Sequence, residues 1–185
     1  MRVVDAPHFN AGSITPGEER ASGRTWGRLA QNRLWLIVPI LALDLALIGW
    51  LPPPLAPGSP GPGIPGWVSL SETVLRVVVM GAPLLMPLSP GTTRFRPALA
   101  VYAVGLTAYV AAWVTVVWAP ASPWSTSAVG FTALAWTSII VFTGIGLQSS
   151  LRFFPRYRPW MYLLAAAIFT TVHTLPIAII WNWYY

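Results

Sequence analysis

The chain contains no cysteine and no lysine, and charged residues make up only 9% of its 185 residues. The absence of cysteine excludes disulfide bonds, thiolate metal sites, iron–sulfur clusters and thiol redox chemistry. The scarcity of charge excludes an ordinary soluble domain, in which about 25% of residues are charged. Hydrophobic residues make up 55% of the sequence and are gathered into long runs. This composition is typical of an integral membrane protein.

Five apolar runs are long enough to cross about 30 Å of hydrocarbon as helices. Their approximate bounds are 34–51, 67–88, 98–118, 127–148 and 160–183. The sequence therefore predicts an all-α integral membrane fold, with a bundle of five transmembrane helices in residues 34–185. The first run is the shortest of the five, and charged residues and prolines interrupt the second.

The distribution of arginine predicts how the bundle is oriented. All 11 basic residues are arginine, and all but Arg76 lie before the first run or in the loops that follow the second and fourth runs. The loops 52–66 and 119–126 contain no basic residue. Because cytoplasmic loops are enriched in basic residues, we expect a cytoplasmic N-terminus and an outside C-terminus. The net charge of +6 then reflects orientation, and no nucleic-acid partner is expected.

Residues 1–33 form an arginine-rich arm that is too long and too polar for the first part of a signal peptide, so we expect it to be retained. Within this arm Arg20, Arg24 and Arg28 recur every four residues, and Arg33 lies at its end. Two interpretations fit these four arginines. They anchor the arm on the anionic lipids of the inner leaflet, or they dock a cytoplasmic partner.

Four ionisable side chains fall inside the apolar runs, and we call them the polar layer: Asp44, Glu72, Arg76 and His173. Counted from the outer tryptophans of their runs, they lie roughly 8 to 14 Å beneath the outer interface at about 1.5 Å per residue. Three helices thus bring ionisable groups to one depth. Such residues are rare inside membranes and usually face a partner or a cavity.

The polar layer has a structural and a functional interpretation. Glu72 and Arg76 are four residues apart with the acid first, which is the better order for an ion pair within a helix. This pair either fixes how its helix faces its neighbours or lines a site for an ion, a proton or an anionic headgroup. Asp44 has no partner in its own run, and a bond to Arg76 across helices would supply one. His173 has Thr170 and Thr174 near it and is expected to be hydrogen-bonded in the core.

The sequence contains no nucleophile motif, no paired metal ligands at a specific spacing and no glycine-rich phosphate loop. We therefore predict no catalytic residue, no metal site and no cofactor. A single axial contact from His173 to a haem or a chlorophyll stays open, because one histidine offers one such ligand.

Small residues suggest where helices approach each other closely. Gly105, Ala108 and Ala112 follow one side of the third run, and Gly144 and Gly146 lie in the fourth. Small residues at such spacing let two membrane helices pack backbone to backbone.

These observations favour a non-catalytic accessory or structural subunit of a larger membrane complex, with membrane lipids and other membrane proteins as partners. The first alternative is a small protein that handles an ion or solute at the polar layer. The second is an intramembrane enzyme that modifies lipid. Arginine without lysine is typical of a GC-rich bacterial genome, so the predicted location is a bacterial inner membrane, crossed several times.

Overall fold

The computed structural model describes residues 32–56, 63–88, 91–147 and 157–185. The chain divides into residues 1–31 and 32–185, and all the described residues belong to the second unit. Within these ranges the chain forms helices and turns and no β-strand. Their one isolated bridge pairs Asn32 with Pro87. The arm residues Arg20, Arg24 and Arg28 lie outside the described ranges.

Eight α-helices are present in the described residues: α1 Val38–Leu47, α2 Gly66–Gly81, α3 Phe95–Trp118, α4 Pro123–Thr126, α5 Ala128–Phe131, α6 Ala133–Trp136, α7 Ser138–Gly146 and α8 Pro159–Tyr184. Short 3₁₀ turns extend two of them. Arg33–Leu36 and Ile48–Trp50 flank α1, and Ala82–Leu85 continues α2. A further 3₁₀ turn, Pro53–Leu55, follows α1.

Four helical stretches are long and apolar enough to cross a membrane: Arg33–Trp50, Gly66–Leu85, Phe95–Trp118 and Pro159–Tyr184. They coincide with the first, second, third and fifth predicted runs, and their ends differ from the predicted bounds by no more than a few residues. Among the described residues, an all-helical fold with four helices long and apolar enough to cross a membrane is therefore confirmed.

The fourth predicted span, 127–148, is not one continuous helix. The structure divides it into α5, α6 and α7, with breaks at Thr132 and Thr137. The hydroxyls of both threonines donate to carbonyls four residues back, at 2.7 Å to Ala128 and 2.6 Å to Ala133. Such bonds often bend helices, but the equivalent bonds of Thr107 and Thr115 leave α3 unbroken. Hydropathy does not detect them, since threonine is only weakly polar.

The broken segment α5–α7 is the most enclosed part of the bundle. Most of residues 130–146 are buried, and α7 packs against both α3 and α8. The contact between α3 and α7 is the most extensive of all the helix pairs. Interrupted backbone is tolerated at membrane depth when protein surrounds it. The core of the bundle is therefore built around this segment.

Two glycines allow α3 and α7 to meet. A Cβ atom placed on Gly105 would lie 2.6 Å from the backbone nitrogen of Val141, and one on Gly144 would lie 2.5 Å from that of Tyr102. Each glycine thus faces the backbone of the opposite helix. Close packing of the third and fourth runs follows from these residues, as their spacing suggests.

By contrast, α1 and α2 pack through narrow stripes. Ile40 is the one buried residue of α1, and Val68 and Val79 are those of α2. The bundle side of α1 contacts α3, whereas α2 contacts α8. Most of the surface of both helices is exposed, and most of this surface is apolar.

Candidate functional site

Three residues of the polar layer line one small cavity. Asp44 enters it from α1, Arg76 from α2 and His173 from α8. The cavity has a volume of about 80 Å³, and its remaining lining residues are Ile40, Leu41, Met80, Tyr109 and Phe169. Ligand pockets usually measure about 300–1,000 Å³. The cavity has room for a few water molecules or an ion and not for an organic solute.

Glu72 joins the helix pair α2 and α8. Its Oε1 atom accepts a hydrogen bond from the Arg76 guanidinium, four residues along the same helix. The same oxygen lies 3.0 Å from Nδ1 of His173. Two neighbours therefore share one carboxylate oxygen, and the Glu72 side chain is only 17% exposed. The arrangement fixes the rotation of α2 against α8.

His173 is held from two sides. Its ring stacks on Phe169, with centroids 5.3 Å apart and planes 6° from parallel. Nδ1 contacts Glu72, and Nε2 has no hydrogen-bond partner among the described residues. Nε2 is thus the nitrogen that would make an axial contact to a haem or a chlorophyll. Because the cavity is far smaller than a porphyrin, such a group would have to bind outside it.

The hydrogen-bond partner of Asp44 is Tyr109, which the sequence did not predict. The phenol of Tyr109 donates to Oδ1 of Asp44 at 2.5 Å. In the described part of the chain no ion pair joins Asp44 to Arg76, although both line the cavity. A buried tyrosine hydroxyl needs a hydrogen-bond partner. This requirement was the property of the sequence from which a bond between Tyr109 and a polar residue such as Asp44 could have been predicted.

A second tyrosine of α3 also holds the first span. Tyr102 lies two turns before Tyr109 and donates its hydroxyl to the carbonyl of Leu36 at 2.9 Å. The two phenols therefore attach the peripheral helix α1 to α3 at two levels. Asp44 takes part in this attachment as an acceptor.

The Tyr109→Phe variant tests this attachment. We expect the free energy of unfolding in detergent to fall by about 1–3 kcal/mol, because Asp44 keeps a buried oxygen without its donor. The double variant Asp44→Leu/Tyr109→Phe should recover most of this loss, since neither polar group remains. Tyr185→Phe, at the exposed C-terminus, serves as the control. Equal stability of Tyr109→Phe and Tyr185→Phe would contradict the assignment.

Arg33 does not belong to an exposed docking arm. It is only 1% exposed, and its Nε and Nη1 atoms donate to the carbonyls of Pro87 at 3.1 Å and Ile145 at 2.8 Å. Its backbone nitrogen donates to Met86 at 3.1 Å. A guanidinium enclosed in this way cannot reach lipid headgroups or a partner. The interpretation of Arg33 as a docking residue is therefore corrected to a structural one.

The carbonyl of Ile145 explains why an arginine is buried here. It lies in the last turn of α7, where carbonyls lack partners within the helix and the helix dipole favours a positive charge. The bond from Arg33 thus caps α7 from a position 112 residues earlier in the chain. The sequence showed the basic residue but not its distant acceptor.

Among the described residues no three acidic, histidine or cysteine side chains are close enough to hold a metal ion. No protein-family model, no curated protein and no solved structure matches the chain. The described residues form a helical bundle with four helices long and apolar enough to cross a membrane and a small polar cluster shared by α1, α2 and α8.

Proposed function

We propose that the protein is a multi-pass protein of a bacterial inner membrane, with five spans, a cytoplasmic N-terminus and an outside C-terminus. Four helices have the required length and apolar character. The broken segment α5–α7 would supply the fifth, because about 19 residues extend roughly 28 Å when fully helical and membranes tolerate breaks that protein encloses. The arginine distribution supports the orientation.

Within this membrane, the protein acts as a non-catalytic accessory subunit of a larger complex. One observation carries this proposal: the ionisable groups of the polar layer are used by one another and by Tyr109. Glu72 pairs with Arg76 and His173, and Asp44 accepts from Tyr109. These bonds satisfy both carboxylates inside the bundle, so the polar layer has a structural role that requires no substrate.

The size of the cavity supports the same proposal. At about 80 Å³ it is too small for an organic solute or for a lipid headgroup together with its reacting bond. A lipid-modifying enzyme would require a polar cleft open to the headgroup region. The ion-handling alternative keeps one specific observation in its favour, because Asp44, Arg76 and His173 do face the same cavity.

Purification of the tagged chain from its native membranes in mild detergent tests the proposal. We expect stoichiometric comigration with other membrane proteins on a native gel, and mass spectrometry would identify them. An untagged culture processed in parallel controls for non-specific retention.

A monomer or homo-oligomer alone would overturn the accessory function. If that species also carried ions across liposome membranes, the ion-handling alternative would replace it. Comigration in a fixed ratio that survives a second purification step would support the accessory function.

A further inference from the structure

Two polar atoms of the small cavity are left unpaired by the rest of the bundle. Nε2 of His173 has no hydrogen-bond partner among the described residues, and neither has Oδ2 of Asp44, whose other oxygen accepts from Tyr109. The unpaired side-chain atoms that those residues enclose completely belong to Trp113 and Thr170. Nε2 and Oδ2 therefore keep surface that water can reach, and both of their residues line the cavity.

The cavity has the size and the polar groups that internal water requires. Its volume of about 80 Å³ exceeds the roughly 30 Å³ that one water molecule occupies in the liquid. Its lining offers an acceptor on Asp44, a nitrogen on His173 and the donors of Arg76. Asp44 lies six residues before Trp50, which places it about 9 Å beneath the outer interface in the proposed topology. The outer solution is thus the nearer source of water and protons.

The contact with Glu72 decides which nitrogen of His173 can accept a proton. Oε1 of Glu72 lies 3.0 Å from Nδ1 and also accepts a hydrogen bond from Arg76. An oxygen that accepts from a guanidinium offers lone pairs, so Nδ1 must donate its hydrogen to it. In a neutral imidazole the other nitrogen then carries a lone pair. The nitrogen of His173 that accepts protons is therefore Nε2, the unpaired atom of the cavity.

The charges around the imidazole do not balance while the ring is neutral. Helix α2 contributes Glu72 and Arg76. Helix α1 contributes Asp44, and α3 contributes the uncharged phenol of Tyr109. The other elements that pack against α8, namely α5, α6, α7 and the turn Pro53–Leu55, contain no titratable side chain. Two carboxylates against one guanidinium leave one uncompensated negative charge, which is costly within a membrane.

We propose that His173 is a proton-binding site, which takes up a proton at Nε2 from water in the cavity and has Asp44 as its counter-ion. A hydronium ion gives its proton to the lone pair of Nε2 and leaves as water, so the imidazole becomes an imidazolium. The two positive and two negative groups of the polar layer then balance. Nδ1 keeps its hydrogen bond to Glu72, and the contact between α2 and α8 becomes an ion pair. This inference goes beyond the accessory function and does not depend on it.

Nitrogen NMR of the full-length chain with isotope-labelled histidine, in phosphatidylcholine vesicles, tests the site. The sequence has two histidines, and His8→Gln leaves His173 as the one that is observed. We expect hydrogen on Nδ1 and none on Nε2 at about pH 9, and hydrogen on both nitrogens at about pH 4. The change should reverse when the pH is raised again.

Asp44→Asn tests the counter-ion in the same measurement. The variant removes the charge and keeps the attachment of α1, because an amide oxygen can still accept from Tyr109. Loss of a nearby negative charge should weaken proton binding to His173 by at least about threefold. Thr171→Val is the matched control on α8. Thr171 is exposed and donates to the carbonyl of Ala167, so its replacement should leave proton binding unchanged.

The spectra of the His8→Gln chain alone can overturn the proposal, whether or not the further variants fold. Hydrogen on Nε2 and none on Nδ1 at high pH would contradict the assigned nitrogen, and a ring that stays neutral throughout would exclude proton binding. Equal proton affinity with Asp44 and with asparagine at this position would reject the counter-ion and with it the site. Because no partner is needed, failure here leaves the accessory function to the comigration experiment.

Discussion

Replacing Arg33 by methionine is expected to lower the free energy of unfolding in detergent by on the order of 3 kcal/mol or more. The variant loses at least two hydrogen bonds from a charged donor, each worth about 1.5–3 kcal/mol. It also leaves the carbonyls of Pro87 and Ile145 without the donor that they have in the structure. For a chain of this size, such a loss corresponds to a fall of about 6–12 °C in the unfolding midpoint.

Two further variants make the test specific to the buried contacts. Arg33→Lys keeps the charge but has no planar fork, so it can reach one carbonyl at a time and should recover only part of the stability. Arg96→Met removes an exposed arginine and should leave the midpoint unchanged within about 1–2 °C. The midpoint is measured by the fraction that stays monodisperse after heating.

The result would also separate the two interpretations of Arg33. A docking residue affects binding to lipid or to a partner and leaves the isolated protein stable. A capping residue affects the isolated protein itself. An unchanged midpoint for Arg33→Met would contradict the structural assignment.

The positions of the long apolar helices were the feature of the fold that could be predicted best from the sequence. Continuous runs of about 20 residues define membrane helices through composition alone. The four stretches from Arg33–Trp50 to Pro159–Tyr184 were therefore found with nearly correct ends. The i,i+4 pair of Glu72 and Arg76 was predictable for the same reason, because its geometry is local to one helix.

The remaining features depend on contacts between distant residues. Tyr109 meets Asp44 across 65 residues of sequence, and no spacing rule connects them. Arg33 was assigned to the arm because it precedes an apolar run, although its acceptors lie on α7 and beyond α2. The breaks at Thr132 and Thr137 accompany side-chain bonds to the backbone, which also occur at Thr107 and Thr115 of the unbroken helix α3. Hydropathy averages over such single bonds and cannot detect them.

The polar layer contains one feature that the sequence predicted, the depth of its residues, and one that it did not, the way in which they pair. Depth counting placed Asp44, Glu72, Arg76 and His173 at similar levels, and the structure brings them to neighbouring positions. How they pair depends on helix rotation, which apolar runs specify weakly. The half-exposed position of Arg76 follows from the narrow packing of α2 and could not be read from residue type.

Replacing Gly144 by alanine is expected to destabilise the bundle, even though alanine is the better helix former. The added Cβ would lie 2.5 Å from the backbone nitrogen of Tyr102, where no flexible side chain can move aside. Either α3 and α7 separate or one helix bends. Overpacking of this kind costs about 1–3 kcal/mol and sometimes more. Because α3 and α7 form the most extensive helix contact, we expect a value in the upper part of that range.

Gly81→Ala is the matched control with the opposite expected sign. A Cβ atom at Gly81, the last residue of α2, meets nothing within 4 Å. The substitution should therefore stabilise the helix slightly, by at most about 1 kcal/mol. Loss of stability at Gly81 as large as that at Gly144 would indicate a general intolerance of the glycines and not a close approach of two helices.

Gly105→Ala completes the argument, since Gly105 faces the backbone of Val141 from the other helix. Each substitution separates the same pair of helices, so the second should add little once the first has moved them apart. We expect the double variant Gly105→Ala/Gly144→Ala to lose clearly less than the sum of the two single losses, as coupled neighbours do. Displacement of Tyr102 would also strain its bond to Leu36. Full additivity would show that the two glycines act at independent contacts.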